Sequence, residues 1–169
     1  MRIALYQPDI PQNTGTILRL SACLGIPVDV IGPTGFDMTD RALRRAGLDY
    51  LGHVKLTRHE SFTDFEAWRR SNSYRLVLLS AHADTSFIDH EFRSNDILLL
   101  GRESAGVPAT VHDLAEARVA VPMQEGMRSL NVAVAAAMIL GEALRQTAGF
   151  PPLAKPGSVN PVKNLTPTC

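Results

Sequence analysis

Three polar residues, Arg128, Ser129 and Asn131, precede a long apolar run that begins at Val132. A guanidinium binds anionic groups, and a hydroxyl and a carboxamide can orient a polar ligand. The alanine-rich run predicts a helix from Ser129 to about Thr147, with Ser129 as N-cap and Asn131 in the first turn. An asparagine there costs helix propensity, and the free backbone N–H groups favour electron-rich ligand groups. These three polar residues are therefore candidate site residues.

The segment GRESAGVP at residues 101–108 is a second candidate, because its two glycines would let a backbone approach a ligand closely. It is not a Walker loop, since no Gly-Lys-Ser/Thr follows. It is also not the G-x-S-x-G elbow of hydrolases, since Arg102 stands two residues before Ser104. A glycine-shaped turn would explain the segment equally well. Glu103, a carboxylate beside an arginine, favours a functional loop.

The segment PQNTGTILR at residues 11–19 places Asn13 and Arg19 after the first predicted strand. Asn13 could be only a helix cap, and Arg19 could be only an arginine whose stem covers apolar neighbours. Further along, three arginines share a short predicted helix: Arg41, Arg44 and Arg45. Such a cluster is either a solvated helix face or a phosphate-binding patch.

Alternating strand and helix patterns predict the framework for these segments. Short apolar runs are typical of parallel strands buried on both faces, and we expect strands at residues 2–7, 28–32, 54–56, 75–81, 96–101 and 117–123. Helical apolar spacing predicts helices from Asn13 or Thr14 to Gly25, from Thr39 to Gly47, over 61–71, after Pro108 and over 129–147. This alternation indicates a parallel α/β sheet, whose ligands gather at the carboxyl ends of the strands. The candidate loops should therefore meet at one edge of the sheet.

The composition narrows the class of protein. With 169 residues, 45% of them hydrophobic, the chain can bury one core and is too apolar for disorder. We expect one domain over residues 1–150 and a proline-rich tail over 151–169. No run is long enough to span a membrane and no signal peptide is evident, so we expect a cytoplasmic protein. Neither the histidines nor the cysteines have the spacing of metal ligands, so no metal is expected. Zero net charge still permits a local basic patch.

Three motifs together, NTGTILR, LLLGRESAGVP and VAVPMQEGMRSLNVAVAAAMIL, resemble those of the SPOUT class of RNA methyltransferases, which use S-adenosylmethionine. Within that class, PQNTG and GFDMTDRALRRAGLDY are similar to a small single-domain, TrmH-like branch. That branch methylates the ribose 2′-hydroxyl of the wobble pyrimidine of tRNA, a cytidine or a 5-substituted uridine. The resemblance covers about residues 1–150. It implies a Rossmann-like parallel sheet with a C-terminal deep trefoil knot.

The resemblance also implies roles for individual residues. S-adenosylmethionine would be held, chiefly through backbone groups and the adenine edge, by Leu79, Gly101, Val121, Ser129 and Leu130. Catalysis would involve Arg19, Glu103, Ser129 and Asn131. Because a guanidinium is effectively never deprotonated in proteins, we expect Arg19 to act as a charged positioning group rather than as a base. Ser129 and Asn131 would orient the cofactor and the ribose.

The resemblance further implies partners. The family works as a homodimer with the first-motif helix at the interface, and the substrate would be the tRNA anticodon stem-loop. Its phosphates would contact four arginines: Arg41, Arg44, Arg45 and Arg128. Two alternatives stay open, namely a SPOUT enzyme acting on another tRNA or rRNA nucleotide and a catalytically silent RNA-binding dimer.

Overall fold

A computed structural model describes residues 1–39 and 51–153. Its strands are β1 (Arg2–Tyr6), β2 (Val28–Ile31), β3 (Leu56–His59), β4 (Arg75–Leu79), β5 (Asp96–Leu100) and β6 (Ala117–Val119). Its helices are α1 (Pro11–Leu24), α2 (Phe62–Ser71), α3 (Ala109–Leu114) and α4 (Val132–Gln146), with a 3₁₀ turn at Leu51–His53. The predicted helix from Thr39 to Gly47 lies, except for Thr39, outside the described residues.

The strands form one parallel sheet in the order β3-β2-β1-β5-β4-β6. The predicted α/β class is confirmed. Successive strand residues point to opposite faces, so Ile3 and Leu5 of β1 enter one core while Ala4 and Tyr6 enter the other. The first core packs the sheet against α1 and α4, and the second packs it against α2 and α3. In the described part of the chain, no helix is both long and apolar enough to cross a membrane.

Several predicted boundaries were wrong. Helix α1 begins at Pro11, with Ile10 as N-cap, rather than at Asn13 or Thr14. Proline suits the first position because its φ is already helical and it has no N–H to leave unpaired. Gly25, with φ 69°, ends α1 as predicted. Strand β3 begins at Leu56, two residues after its predicted start, because Leu56 is the residue that pairs with Val28 of β2.

The strands that lead to the predicted site are shorter than their apolar runs. Strand β4 ends at Leu79 and β6 ends at Val119, where Ser80 N–H donates to Val119 O over 3.0 Å. Beyond this point both segments continue as loops, which meet again at a bridge between Ser86 and Ala120. The carboxyl ends of β1, β4, β5 and β6 therefore open toward the same side, as the loop prediction required.

Candidate functional site

The carboxyl edge of the sheet holds a cleft of about 820 Å³. Its walls come from residues 78–82 after β4, 100–107 after β5, 119–121 after β6 and 128–132 before α4. Six further residues line it: Ile10, Asn13, His112, Met123, Ala135 and Ile139. This volume lies within the range of roughly 300–1,000 Å³ that small-molecule sites occupy.

The loop after β5 closes on itself. Arg102 N–H donates to Gly106 O over 3.0 Å, and Gly106 N–H donates to Arg102 O over 2.7 Å. Gly106 has φ +68°, and a Cβ on Gly101 would lie 2.9 Å from the Gly106 carbonyl carbon. Both glycines are thus required by the turn itself. The two interpretations of this segment, a glycine-shaped turn and a ligand-binding loop, are compatible, because the turn itself lines the cleft.

Glu103 is at the centre of a hydrogen-bond chain that joins three separate parts of the sequence. Its Oε2 accepts from Asp9 N–H over 3.0 Å, and its Oε1 accepts from Asn13 Nδ2 over 3.3 Å. Asn13 Oδ1 accepts from Asn131 Nδ2 over 2.9 Å. The loop after β5, the start of α1 and the start of α4 are therefore tied together beside the cleft.

Asn131, not Ser129, is the N-cap of α4, which corrects the sequence prediction. Asn131 Oδ1 accepts from Ala133 N–H over 2.9 Å and from Val134 N–H over 3.4 Å. An asparagine at this position stabilises the helix start instead of costing propensity. Ser129 is left on an exposed loop that lines the cleft, and its side chain makes no hydrogen bond to another described residue.

Asp9 is the residue at this edge that the sequence analysis missed. Its Oδ2 accepts from Arg102 Nε over 2.9 Å and also from the Ser104 hydroxyl. The pKa of Asp9 lies well below its ordinary value; the neighbouring Glu103 side chain lowers it most, followed by the hydrogen bonds from Ser104 and Arg102. The only sequence signal for Asp9 was its place shortly after β1, between Pro8 and Pro11.

The structure brings together most of the predicted site residues. Lining the cleft are all five predicted cofactor residues and three further ones: Leu79, Gly101, Val121, Ser129, Leu130, Glu103, Arg128 and Asn131. Arg19 is not brought there, since it lies on the exposed side of α1 and is not among the described residues that line the cleft. Arg41, Arg44 and Arg45 lie outside the described residues.

The cleft suits a cofactor that combines a nucleoside with an amino acid. Apolar side chains of Val107, Val119 and Ile139 lie beside polar groups on Glu103 and Arg128. This mixture of apolar and charged lining residues suits a ligand that has both apolar and polar parts. No group of three or more potential metal ligands occurs in the described ranges.

An open parallel sheet with a polar cleft at its carboxyl edge defines an α/β protein of the ligand-binding type. Comparison with known proteins makes this assignment specific. Residues 1–141 match the SpoU rRNA Methylase family. The chain belongs to this family of methyltransferases.

Individual relatives agree with the family assignment. A tRNA (cytidine(34)-2'-O)-methyltransferase of Beijerinckia indica is 62% identical over 144 residues, covering 85% of this chain and 90% of the relative. A solved structure described as "Structural insights into the 2-OH methylation of C/U34 on tRNA" has a TM-score of 0.82 and 41% identity, covering 88% of this chain and 96% of that one. The SpoU methyltransferase AviRb of Streptomyces viridochromogenes, in complex with the cofactor AdoMet, has a TM-score of 0.79 and 30% identity, covering 86% and 60%. S-adenosylmethionine is therefore the expected cofactor of this chain.

Proposed function

We propose that this chain transfers a methyl group from S-adenosylmethionine to the ribose 2′-hydroxyl of the wobble pyrimidine in the tRNA anticodon loop. The relatives named for methylation of nucleotide 34 support this substrate. The observation that carries the proposal is the chain of hydrogen bonds from Glu103 through Asn13 to Asn131 at the rim of the cleft. It fixes polar groups where a ribose would have to meet the cofactor.

S-adenosylmethionine supplies a methyl group that its sulfonium already activates, so the protein has to bind, align and exclude water. Leu79, Gly101, Val121 and Leu130 would hold the cofactor in the cleft that they line. Ser129 has an exposed hydroxyl without a hydrogen-bond partner among the described residues, so it can donate to or accept from a bound ligand.

Glu103 acts in this proposal by holding other groups in place. Both of its oxygens already accept hydrogen bonds, from Asp9 and from Asn13. Asn131 donates to Asn13 and caps α4 at the same time. A shift of Glu103 would thus displace both asparagines relative to the cleft.

Arg19 requires a second copy of the chain. It lies on the exposed side of α1, away from the residues that line the cleft of its own chain. Helix α4, which packs on the same face of the sheet as α1, exposes Val134 and Met138, at 50% and 42%. A homodimer through these helices would cover apolar surface and could bring Arg19 of one copy to the cleft of the other. There its permanent charge would position a substrate phosphate or stabilise the developing alkoxide.

The proposal also includes the RNA contacts, the domain bounds, the cellular location and the knot. The anticodon stem-loop presents phosphates that Arg41, Arg44, Arg45 and Arg128 would contact. Residues 1–150 would form the catalytic domain and 151–169 a tail, and tRNA as substrate implies a cytoplasmic enzyme. The trefoil knot would lie where the segment after β6 is held by the loop after β4, since Phe87 N–H donates to Ala120 O and Ala120 N–H donates to Thr85 O, each over 2.9 Å.

The test is methyl transfer from labelled S-adenosylmethionine to bulk tRNA, with the modified nucleoside located by nuclease digestion and mass spectrometry. We expect a 2′-O-methylated pyrimidine at the wobble position. Methylation of another nucleotide would favour the sister enzyme, and cofactor binding without transfer to any RNA would favour the silent RNA-binding dimer.

A separate variant tests the role of Arg19. Arg19→Lys keeps the charge but loses the planar, bidentate geometry, so kcat should fall about 10-fold or more. Arg70→Gln is the control, because Arg70 is an exposed arginine on α2, on the other face of the sheet. Normal turnover by the Arg19→Lys enzyme would show that guanidinium geometry is irrelevant.

A further inference from the structure

Asp9 lies between two loops that neighbouring strands place side by side. Strands β1 and β5 are adjacent and in register, with Leu5 opposite Leu100, so the segments that follow them run together. On its other side Asp9 meets Gly35, where a Cβ would lie only 2.6 Å from the Asp9 Cβ. Gly35 N–H also donates to Pro8 O over 2.9 Å. The backbone at Gly35 thus packs against Asp9 on the side opposite the loop after β5.

From this position Asp9 contacts three successive residues of the loop after β5. Its carboxylate accepts from Arg102 Nε and from the Ser104 hydroxyl, and its backbone N–H donates to Glu103. The side chains of Arg102 and Ser104 are drawn toward Asp9, and Glu103 stands between them. One residue therefore fixes both flanks of Glu103 as well as one of its carboxylate oxygens.

Stability accounts for only one of the two Asp9 carboxylate oxygens, because Oδ2 is paired with Arg102 and Ser104. Asp9 Oδ1 is buried and has no hydrogen-bond partner among the described residues. A buried acceptor that is left unpaired destabilises the folded state. Local rules that a chain breaks without a structural gain concentrate at functional sites. Asp9 is also not among the residues that line the cleft, so it would act through the loop rather than on a ligand.

We propose that Asp9 is a positioning residue for the methyl transfer: its bonds to Arg102 and Ser104 hold the loop so that Glu103 stays aligned with Asn13 and Asn131. This inference rests on the proposed function. Its consequence is that Asp9 and Arg102 work as one unit. Removing either partner releases the same loop, so removing both adds little.

The depressed pKa of Asp9 agrees with this role. The carboxylate stays ionised throughout the pH range in which an enzyme of this kind works. The bond to the Arg102 guanidinium is therefore not interrupted by protonation of Asp9 at neutral pH.

The experiment compares Asp9→Asn, Arg102→Gln and the double variant in the full-length protein. For each, the affinity for S-adenosylmethionine alone is measured by calorimetry, kcat and KM are measured with tRNA, and thermal unfolding is followed. We expect each single variant to bind S-adenosylmethionine about 5-fold more weakly and to lose about 10-fold in kcat, because the loop lines the cleft. The double variant should lose little more than the worse single variant.

Arg70→Gln is the matched control, since Arg70 is also an exposed arginine bonded to a carboxylate, Glu66 Oε1 at 2.5 Å. It should leave affinity and kcat unchanged. Arg102, 40% exposed, can be replaced without disturbing the core, so that at least one informative variant folds.

Two results would overturn the inference. The first is a fall in thermal stability with unchanged affinity and kcat at temperatures where the variants are folded, which would mean a purely structural pair. The second is full additivity in the double variant. If the wild-type protein binds S-adenosylmethionine but methylates no tRNA, the proposed function fails, while the affinities of the variants still decide whether Asp9 fixes the loop.

Discussion

The two edges of the sheet use the same charged residue types in opposite ways. At the amino edge, Arg69 is 4% exposed and donates to Glu66, to Glu116 Oε1 at 2.8 Å and to Tyr74 O at 2.6 Å. At the carboxyl edge, Arg102 is 40% exposed and has one carboxylate partner, Asp9. The side chain of Arg128 makes no hydrogen bond to another described residue.

The difference lies in how far each group is satisfied. Asp29, completely buried, accepts from Arg2 Nε over 2.6 Å and is 2.9 Å from His59 Nε2, so both of its oxygens have partners within the protein. Ser129 and Arg128, in contrast, are exposed on a loop beside a large cleft. Saturated and buried groups hold the fold, whereas exposed groups with unused hydrogen-bonding capacity indicate the site.

The largest expected effect is at the amino edge. Replacing Arg69 by Met would leave Glu66 and Glu116 without their shared donor, and breaking such a buried pair costs roughly 3 kcal/mol of unfolding free energy. For a chain of this length that lowers Tm by roughly 6–12 °C. Urea and thermal unfolding measure the loss. Methyl transfer at a temperature where both proteins are folded should stay unchanged, and a fall in kcat without a loss of stability would contradict the comparison.

The next largest effect is at the carboxyl edge. In Glu103→Gln one oxygen becomes an NH₂ group that faces a donor, either Asp9 N–H or Asn13 Nδ2. We expect kcat to fall about 100-fold, equivalent to about 2.7 kcal/mol of activation free energy. Steady-state kinetics measure this change, and the unfolding free energy should change by less than about 1 kcal/mol.

Glu116→Gln is the matched control for this prediction. Glu116 also accepts two hydrogen bonds, from Arg69 and from Leu76 N–H over 2.7 Å, but at the amino edge. It should lower stability and leave kcat unchanged. If both variants lost activity equally, the two edges would not be functionally distinct.

The sequence predicted the framework of this site well because its signals are local. Buried parallel strands appear as short apolar runs, and a glycine with φ 69° ends α1 where the apolar spacing stops. The positions of the loops after β1, β5 and β6 follow from the parallel alternation. Their meeting at one edge is a general property of such sheets.

The errors at the candidate site concern contacts between distant residues. Ser129 and Asn131 are both good caps, but Asn131 also bonds to Asn13, which is 118 residues away in sequence. Asp9 gains its importance from Arg102, which is 93 residues away. No periodicity or propensity carries such information. The proposed role of Arg19 involves a second chain, whose contacts no local pattern in the sequence indicates.

The two candidate caps of α4 give a prediction of intermediate size. Asn131→Ala removes the acceptor of two backbone N–H groups and should cost about 1 kcal/mol of unfolding free energy. Ser129→Ala should change stability by less than about 0.5 kcal/mol, because Ser129 is exposed and does not cap the helix. Urea unfolding of both variants measures the difference. Equal losses of unfolding free energy in the two variants would mean that Ser129 also caps the helix.

The smallest expected effect comes from the exposed ion pair of Glu142 and Arg145. It tests whether burial is what distinguishes charged groups that stabilise the fold from those that do not. Hydrogen bonds from Arg145, then from Gln146, lower the pKa of Glu142 from 4.5 to about 2. Because the folded pKa is depressed, any stabilisation is present above about pH 4.5 and is lost as the pH falls toward 2. Arg145 is 70% exposed, so solvent screening leaves the pair little net effect.

Arg145→Gln should therefore shift Tm at neutral pH by an amount near the limit of detection, and thermal unfolding between pH 2 and 7 should show even this difference vanish in acid. Arg69→Met provides the contrast, because Arg69 makes bonds of similar length from a buried position. A loss in Arg145→Gln as large as that in Arg69→Met would mean that pair geometry, not burial and saturation, decides which charges hold the fold. A small difference that persists at pH 2 would instead come from packing of the Arg145 stem, since Glu142 no longer carries its full charge there.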